Sequence, residues 1–515
     1  MPPAARNERP LRPRADGSPI PADESVPDQA GLRPAARVVD RWDGHRTLMG
    51  TGLTAYALEK RATAVGGARQ TSPVSSTSPA PARPRLSSFW HDLPREGKLL
   101  ISTVVFQSMG TGLVLPFMVV YLHEVRGISL ETVGLLLALQ AGVGIVLVTP
   151  AGALIDRIGP RRVYASSLVA LMVADVVLAF ATTTGQAAAA LVLMGYGFGI
   201  VWPASSALIG NLIPTEQRQR YFGINFTLLN LGIGIGGIVG GRFVDVSRPG
   251  TFVTIYLLDA LSYVPGLFIL LVSLRHARDR VQRPVDADAA QVSYLALLRD
   301  PRLRALLLLA AVAALVSYPQ LNAGMPAYAR AEGRISTEGL GYAFAANTLV
   351  IVVLQLFVLQ RIEGRRRTRV TVVMALTWMV AWALLGATSL VPGTVTATIL
   401  LAACAGVFGL GETMLQPTSA AMINDLAPDH LRGRYNALSS LMFSVAFVVG
   451  PVVSSLLIGR HLGLVYVGFL VGGCAVLAVI ALLVERRLPP HVNGVREPAP
   501  VGVGVPAATD GAISG

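Results

Sequence analysis

Charge is scarce in this chain. Of its 515 residues, 14% are Asp, Glu, Lys or Arg and 52% are hydrophobic, with a mean hydropathy of +0.56. A soluble domain carries roughly a quarter charged residues on its surface, so this balance excludes one and puts most of the chain in lipid. Cysteine is almost absent: Cys404 and Cys474 both lie in apolar runs, which excludes a disulfide framework and a thiolate metal centre. Lysine is nearly missing as well, since only Lys60 and Lys98 stand among 43 basic residues, an arginine bias that points to a GC-rich bacterial genome. No histidine falls at bilayer depth, and HExxH, GxSxG and GxxxxGK[ST] do not occur. Enzyme chemistry and an ATP-driven pump are thereby excluded, and no metal or cofactor is expected. The net charge of +13 does not imply nucleic acid, because the basic residues cluster between apolar spans, as an orientation signal does.

What is present is a series of apolar segments. They fall at about 99–122, 131–155, 163–183, 187–213, 221–244, 252–274, 303–328, 339–360, 370–390, 394–424, 435–458 and 463–484. A helix needs roughly 20 residues to cross the hydrocarbon, and lipid offers the backbone no partners, so these lengths predict twelve transmembrane helices and an all-α integral membrane fold. Arg157, Arg161, Arg162, Arg218, Arg220, the group from Arg275 to Arg304, Arg361, Arg365, Arg366, Arg367, Arg369, Arg432, Arg434, Arg486 and Arg487 sit in one set of loops. The other set holds only Arg126, Arg242, Arg248, Arg330, Arg334 and Arg460. The positive-inside rule then places both termini in the cytoplasm of a multi-pass cell-membrane protein.

Residues 1–97 are rich in Pro, Arg, Ala and Ser and hold no spanning run, so they read as a disordered cytoplasmic extension without a signal peptide. The stretch also fits a start codon placed too early, with initiation near Met49 or beyond. A six-helix bundle follows at 98–274, a cytoplasmic linker at 275–301, a second bundle at 302–487 and a disordered tail at 488–515.

The two bundles repeat each other. Gly197, Pro203, Ser205, Ala207, Ile209, Leu212, Pro214, Arg218, Arg220, Tyr221 and Gly236 match Gly411, Pro417, Ser419, Ala421, Ile423, Leu426, Pro428, Arg432, Arg434, Tyr435 and Gly450 at one shift, 417 − 203 = 214. Arg157-Ile158 and Arg161-Arg162 meet Arg361-Ile362 and Arg365-Arg366 at a shift of 361 − 157 = 204. Parallel six-helix repeats are the ground plan of a carrier that rocks one half against the other around a midplane site.

Between the second and third spans the chain reads Gly152, Asp156, Arg157, Gly159, Pro160, Arg161, Arg162. This resembles the GxxxDRxGRR signature of the major facilitator superfamily, with Pro160 in place of one arginine. The resemblance covers about 98–487. It implies the major facilitator fold and a cytoplasmic gate latch made by Asp156, Arg157 and Arg161 as the halves rock. Gly152 is expected to let a neighbouring helix approach. The second half has lost the acid, with Gln360 in its place, so any latch there is weaker.

The fifth span places Gly223, Gly232, Gly236, Gly237, Gly240 and Gly241 close to the antiporter motif G(x8)G(x3)GPxxGG of proton-coupled exporters, without its proline, which reappears in the repeat at Gly450-Pro451. Gly232, Gly236 and Gly240 form a smooth stripe for helix contact. In the superfamily, helices 1, 4, 7 and 10 line the cavity. The resemblance therefore nominates Gln107, Tyr121, Tyr196, Trp202, Tyr318, Asn322, Glu412 and Gln416, an apolar and aromatic set suited to a lipophilic ligand.

Three carboxylates sit at bilayer depth: Asp175, Asp259 and Glu412. Each costs about 3 kcal/mol or more at the bilayer centre and calls for a reason. All three are candidates for proton coupling, although family architecture puts Asp175 and Asp259 outside the cavity, where hydrogen-bonded structural roles are expected. Glu412, before a helix-breaking Pro417, is the favoured proton carrier. The expectation is a secondary transporter of the bacterial cell membrane, working as a monomer in the lipid bilayer and exporting a small lipophilic or drug-like molecule against protons by alternating access. A proton-coupled uptake symporter for a nutrient is the alternative.

Overall fold

A computed structural model describes residues 90, 93–275, 294–428 and 431–495 of the chain. The expected N-terminal extension before residue 90, most of the linker and the tail beyond 495 lie outside the described residues.

Twelve helices long and apolar enough to cross a membrane are found among them, one on each expected span. They are α1 Arg95–Val125, α2 Leu130–Ile158, α3 Pro160–Ala179, α4 Thr184–Leu212, α5 Thr215–Phe243 and α6 Pro249–Ser273 in the first half. The second half holds α7 Pro301–Ala331, α8 Thr337–Ile362, α9 Arg367–Leu390, α10 Val395–Leu426, α11 Arg432–Gly459 and α12 Gly463–Glu485. Local chemistry sets the ends. Ser129 caps α2 by accepting from the Thr132 amide, and Thr183 with Gln186 makes a capping box on α4. In the second half Ser336 caps α8 and Thr394 caps α10. Gly159 has φ 89°, a conformation that a side chain would strain, and it turns the chain between α2 and α3. Pro160 is then the first residue of α3, where its missing N–H costs nothing, which gives the one departure from the signature a structural use.

Four spans depart from regular helix, α9 by a closing 3-10 turn at Thr388–Leu390. α1 carries a 3-10 turn at Leu115–Phe117 and a π turn at Tyr121–Val125; α6 ends in a π turn at Ile269–Ser273; α7 has one at Gln320–Gly324, just after Pro319. Pro417 behaves otherwise than expected, since α10 runs through it unbroken, as α4 does through Pro203. Pro417 removes only its own N–H, leaving the Thr413 carbonyl without that donor.

Each half has an aromatic and aliphatic core. Tyr121 packs against Phe252 and Tyr256 between α1 and α6, and Trp378 stacks on Phe408 at 5.1 Å between α9 and α10. The halves meet along two seams related by the repeat. A Cβ on Gly341 of α8 would overlap the Gly237 carbonyl of α5, and one on Gly134 of α2 would lie 2.6–2.7 Å from Ser455 and the Pro451 carbonyl of α11.

Two expected boundaries shift. Tyr294–Leu297, inside the expected linker, is helical with Leu297 buried. The stretch 488–495, expected to belong to a disordered tail, is packed: Val492 and Asn493 are buried, and Asn493 accepts from the Arg367 and Thr368 amides. A short, proline-bearing segment after the last span reads as tail in sequence, whereas here it satisfies the otherwise unpaired first amides of α9.

Candidate functional site

A cavity of about 170 Å³ opens within the first half. Its walls are largely apolar and aromatic, with Leu100, Phe198, Val201, Trp202 and Phe222 among them, and its few polar groups include Gln107, Ser108, Thr111, Ser205 and Asn225. Of the expected cavity residues, Gln107 on α1 and Trp202 on α4 are therefore in place, and Trp202 is half exposed.

The others go elsewhere. Tyr121 is fully buried outside the cavity, donating to the Leu178 carbonyl at 2.7 Å and accepting from Arg126 at 2.8 Å. Tyr196 turns toward α3, where its hydroxyl meets Ser166 at 2.9 Å. Tyr318 of α7 donates to Glu412 at 2.9 Å, Asn322 is half-buried on the π turn of α7, and Gln416 is exposed on α10. None of these three lines the first-half cavity. Membership of a helix specifies a depth, and the facing of the residue decides what it lines.

The three membrane carboxyls divide between the halves. Glu412 sits among α7, α8 and α10, holding the Tyr318 hydroxyl at 2.9 Å and the Asn347 amide at 3.5 Å; that amide also donates to the Ala405 carbonyl at 3.2 Å. Two neutral donors on one carboxyl can serve its charged form, and Tyr318 can rotate to serve the protonated one. Asp175 and Asp259, 1% and 4% exposed, meet each other between α3 and α6.

The signature lies at the end of the bundle that carries the α2–α3 loop. Asp156 and Arg157 are exposed, and no hydrogen bond or ion pair of Asp156 is found among the described residues. Arg161 donates instead to the Leu270 carbonyl of α6 at 2.9 Å. Arg162 is exposed. The structure does not bring Asp156 together with the basic residues expected to latch it. Nor does Gly152 accommodate a neighbour, for a Cβ there would meet nothing within 4 Å.

The opposite end holds a set of contacts that the sequence did not announce. Glu124 at the end of α1 is clamped by Arg330 of α7 through Nε and Nη2, with the Nε to Oε1 bond at 2.7 Å. Arg242 of α5 reaches Glu338 of α8 at 3.0 Å and the Tyr342 hydroxyl at 3.0 Å, and Thr337 donates to the Val244 carbonyl at 3.1 Å. These bonds join the two halves and close that end. They were hidden because each pairs residues about 90 to 210 positions apart in one chain, a separation at which no sequence spacing carries information.

The glycines of α5 serve two neighbours. Side chains at Gly232, Gly236 and Gly240 would collide with Ser108, with the Met109 carbonyl and with Phe117 and the Leu113 carbonyl of α1, while Gly237 and Gly241 face α8. The position that lacks the motif's proline is thus a backbone-to-backbone crossing between halves. Gly223 has open space around it.

Twelve helices in two pseudo-symmetric bundles, joined at one end and holding buried carboxyls, define a membrane carrier of the rocking type. Residues 100–408 and 334–509 match the model of the Major Facilitator Superfamily, and the chain belongs to that family, whose members are transporters and not enzymes. The chain is 24% identical to the uncharacterized MFS-type transporter YttB of Bacillus subtilis over 72% of this chain and 90% of that protein. It is 24% identical to a Na(+), Li(+), K(+)/H(+) antiporter of Planococcus maritimus over 70% and 89%. A 26% identity to the quinolone resistance protein NorA of Staphylococcus aureus covers 32% of this chain and 42% of that protein. Solved structures share the fold: a POT family transporter superposes with a TM-score of 0.63 at 17% identity, covering 78% of this chain and 97% of its own, and the nucleoside transporter NupG with 0.62 at 12%, covering 76% and 100%.

Proposed function

We propose that this transporter exports a small lipophilic compound from the bacterial cytoplasm in exchange for protons, acting as a monomer with both termini inside. The observation that carries this reading is the cavity lining: Trp202, Phe198 and Phe222 offer broad apolar contact, and Gln107, Thr111 and Asn225 supply sparse hydrogen bonding. Such a wall selects by size and greasiness, since discrimination by hydroxyl pattern requires dense polar groups. Likeness to the Planococcus maritimus antiporter over most of the chain supports exchange with protons, and the partial likeness to NorA supports a drug-like substrate.

In this reading the end closed by Glu124–Arg330 and Arg242–Glu338 faces outward, and the cavity takes its substrate from the inner side. Glu412 carries the coupling proton, alternating between a state in which Tyr318 and Asn347 hold it and one open to water. Asp156, Arg157 and Arg161 make the inner latch in the opposite state, in which the outer ion pairs are broken. A strain lacking the protein, grown against a panel of lipophilic cations, dyes and antibiotics, is expected to become more sensitive to some of them. Unchanged sensitivity throughout, with a growth defect on one nutrient, would replace export by uptake.

A further inference from the structure

Asp175 and Asp259 stood beside Glu412 as candidates for proton coupling, with hydrogen-bonded structural roles expected of them, and the fold sets the two close together. Asp175 is on α3, Asp259 on α6, and the two buried carboxyl groups adjoin each other. Among the described residues donors approach one of them: Ser262 gives its hydroxyl to Asp259 at 3.2 Å, and Tyr263 also lies beside Asp259. Oδ1 of Asp175 is buried with no hydrogen-bond partner. A carboxylate has no proton to donate, so two ionised carboxylates in contact would leave repulsion and an orphaned oxygen in a medium without water. One proton placed between them removes both problems, as in other carboxyl pairs that share a site.

The surroundings supply no alternative. The titratable or charged groups facing the pair are Tyr256 and Tyr263 on α6, Tyr121 on α1 and Tyr164 on α3, with Arg126 beyond the end of α1. Among these described residues Arg126 is the one cation, and it is already bound to the Tyr121 hydroxyl and the Ala179 carbonyl. The pair also lies beside α1. A Cβ on Gly110 of α1 would overlap Asp259 and Ser262, so α1 presses its backbone on the pair. Tyr263 contacts both Asp259 and Thr111 of α1, and Tyr263 and Thr111 line the cavity.

We propose that Asp175 and Asp259 together bind one proton, as a site of the first half separate from Glu412, and that the proton reaches it from the cavity through Tyr263 and Thr111. The site deepens the proton-exchange reading, yet its test needs no substrate, so its failure is distinct from a failure of the export reading. Infrared difference spectra of the purified protein in lipid nanodiscs, taken between acid and alkaline buffer, report protonated carboxyl groups by their C=O stretch. A protonated aspartate band that titrates as one transition is expected, shifted by carbon-13 labelling of aspartate in the unaltered protein. Asp175→Asn and Asp259→Asn should each abolish that transition, and Glu412→Gln should leave it. Exchange of the bound proton for deuterium should slow by about tenfold in Tyr263→Phe, the scale of one lost hydrogen bond. Absence of a labelled band overturns the shared proton even if neither Asn variant folds, as do two independent aspartate transitions each lost in one variant. An unchanged exchange rate in Tyr263→Phe overturns the route.

Discussion

The two halves share a plan and have been put to different uses. In the first half the loop between α2 and α3 leaves Asp156 exposed without a described partner. In the second half the corresponding loop is fastened: Glu485 of α12 binds Arg366 at 2.6 Å and Arg369 at 3.2 Å, Arg367 binds Asp425 at 2.6 Å, and Asn493 closes over the start of α9. The acid that the repeat lost at Gln360 is thus replaced by acids from α10 and α12. The carboxyls within the bundles differ likewise. Those of the first half face each other, and Glu412 of the second is held by a phenol and an amide. A duplicated fold lets the same loop be fastened in one half and carry different contacts in the other.

That contrast can be broken by substitution, and the largest effect is expected at the glycine stripe. Gly236→Leu would drive a side chain into the Met109 carbonyl of α1 and should cost about 3 kcal/mol or more, seen as loss of monodisperse protein on size exclusion. Recovery of normally melting protein would show that α1 and α5 are not locked by contact. Asp156→Asn comes next. With the first-half loop acting in the cycle, transport should fall about tenfold, or about 1.4 kcal/mol, while membrane abundance stays normal. Wild-type rates would remove Asp156 from the gate. The fastened loop should respond in the opposite sense: Glu485→Gln is expected to lower thermal stability by about 1–2 kcal/mol through lost bonds to Arg366, Arg369 and Thr368, with transport per folded molecule retained. A transport defect at unchanged melting temperature would reverse the assignment of the two loops. The smallest effect belongs to Gly223→Ala. It meets open space, so helix propensity alone acts and should stabilise by at most about 1 kcal/mol.

Much of the fold was legible because lipid makes few structures admissible. Twelve spans, their helical state and the two-fold repeat all follow from run lengths and from the shift between Pro203 and Pro417. Facing was less legible. Tyr121 and Tyr196 stand on cavity helices yet pack away from the cavity, since an evenly apolar helix carries no moment to tell one side from another. Pairings across the chain were not legible at all: Glu124 with Arg330, Arg242 with Glu338, and Asp175 with Asp259 depend on which helices become neighbours. Gln107, Trp202 and the glycine stripe were found because a motif or a helix assignment coincided with the correct face.

The central claim, that proton entry through Glu412 drives export, is tested most directly by uptake of a fluorescent lipophilic cation into inverted membrane vesicles with an acid interior. The unaltered protein should accumulate the dye and release it when the pH gradient is collapsed. Glu412→Gln at equal abundance should bind and exchange the dye but not accumulate it. Accumulation by Glu412→Gln at the rate of the unaltered protein would contradict the account.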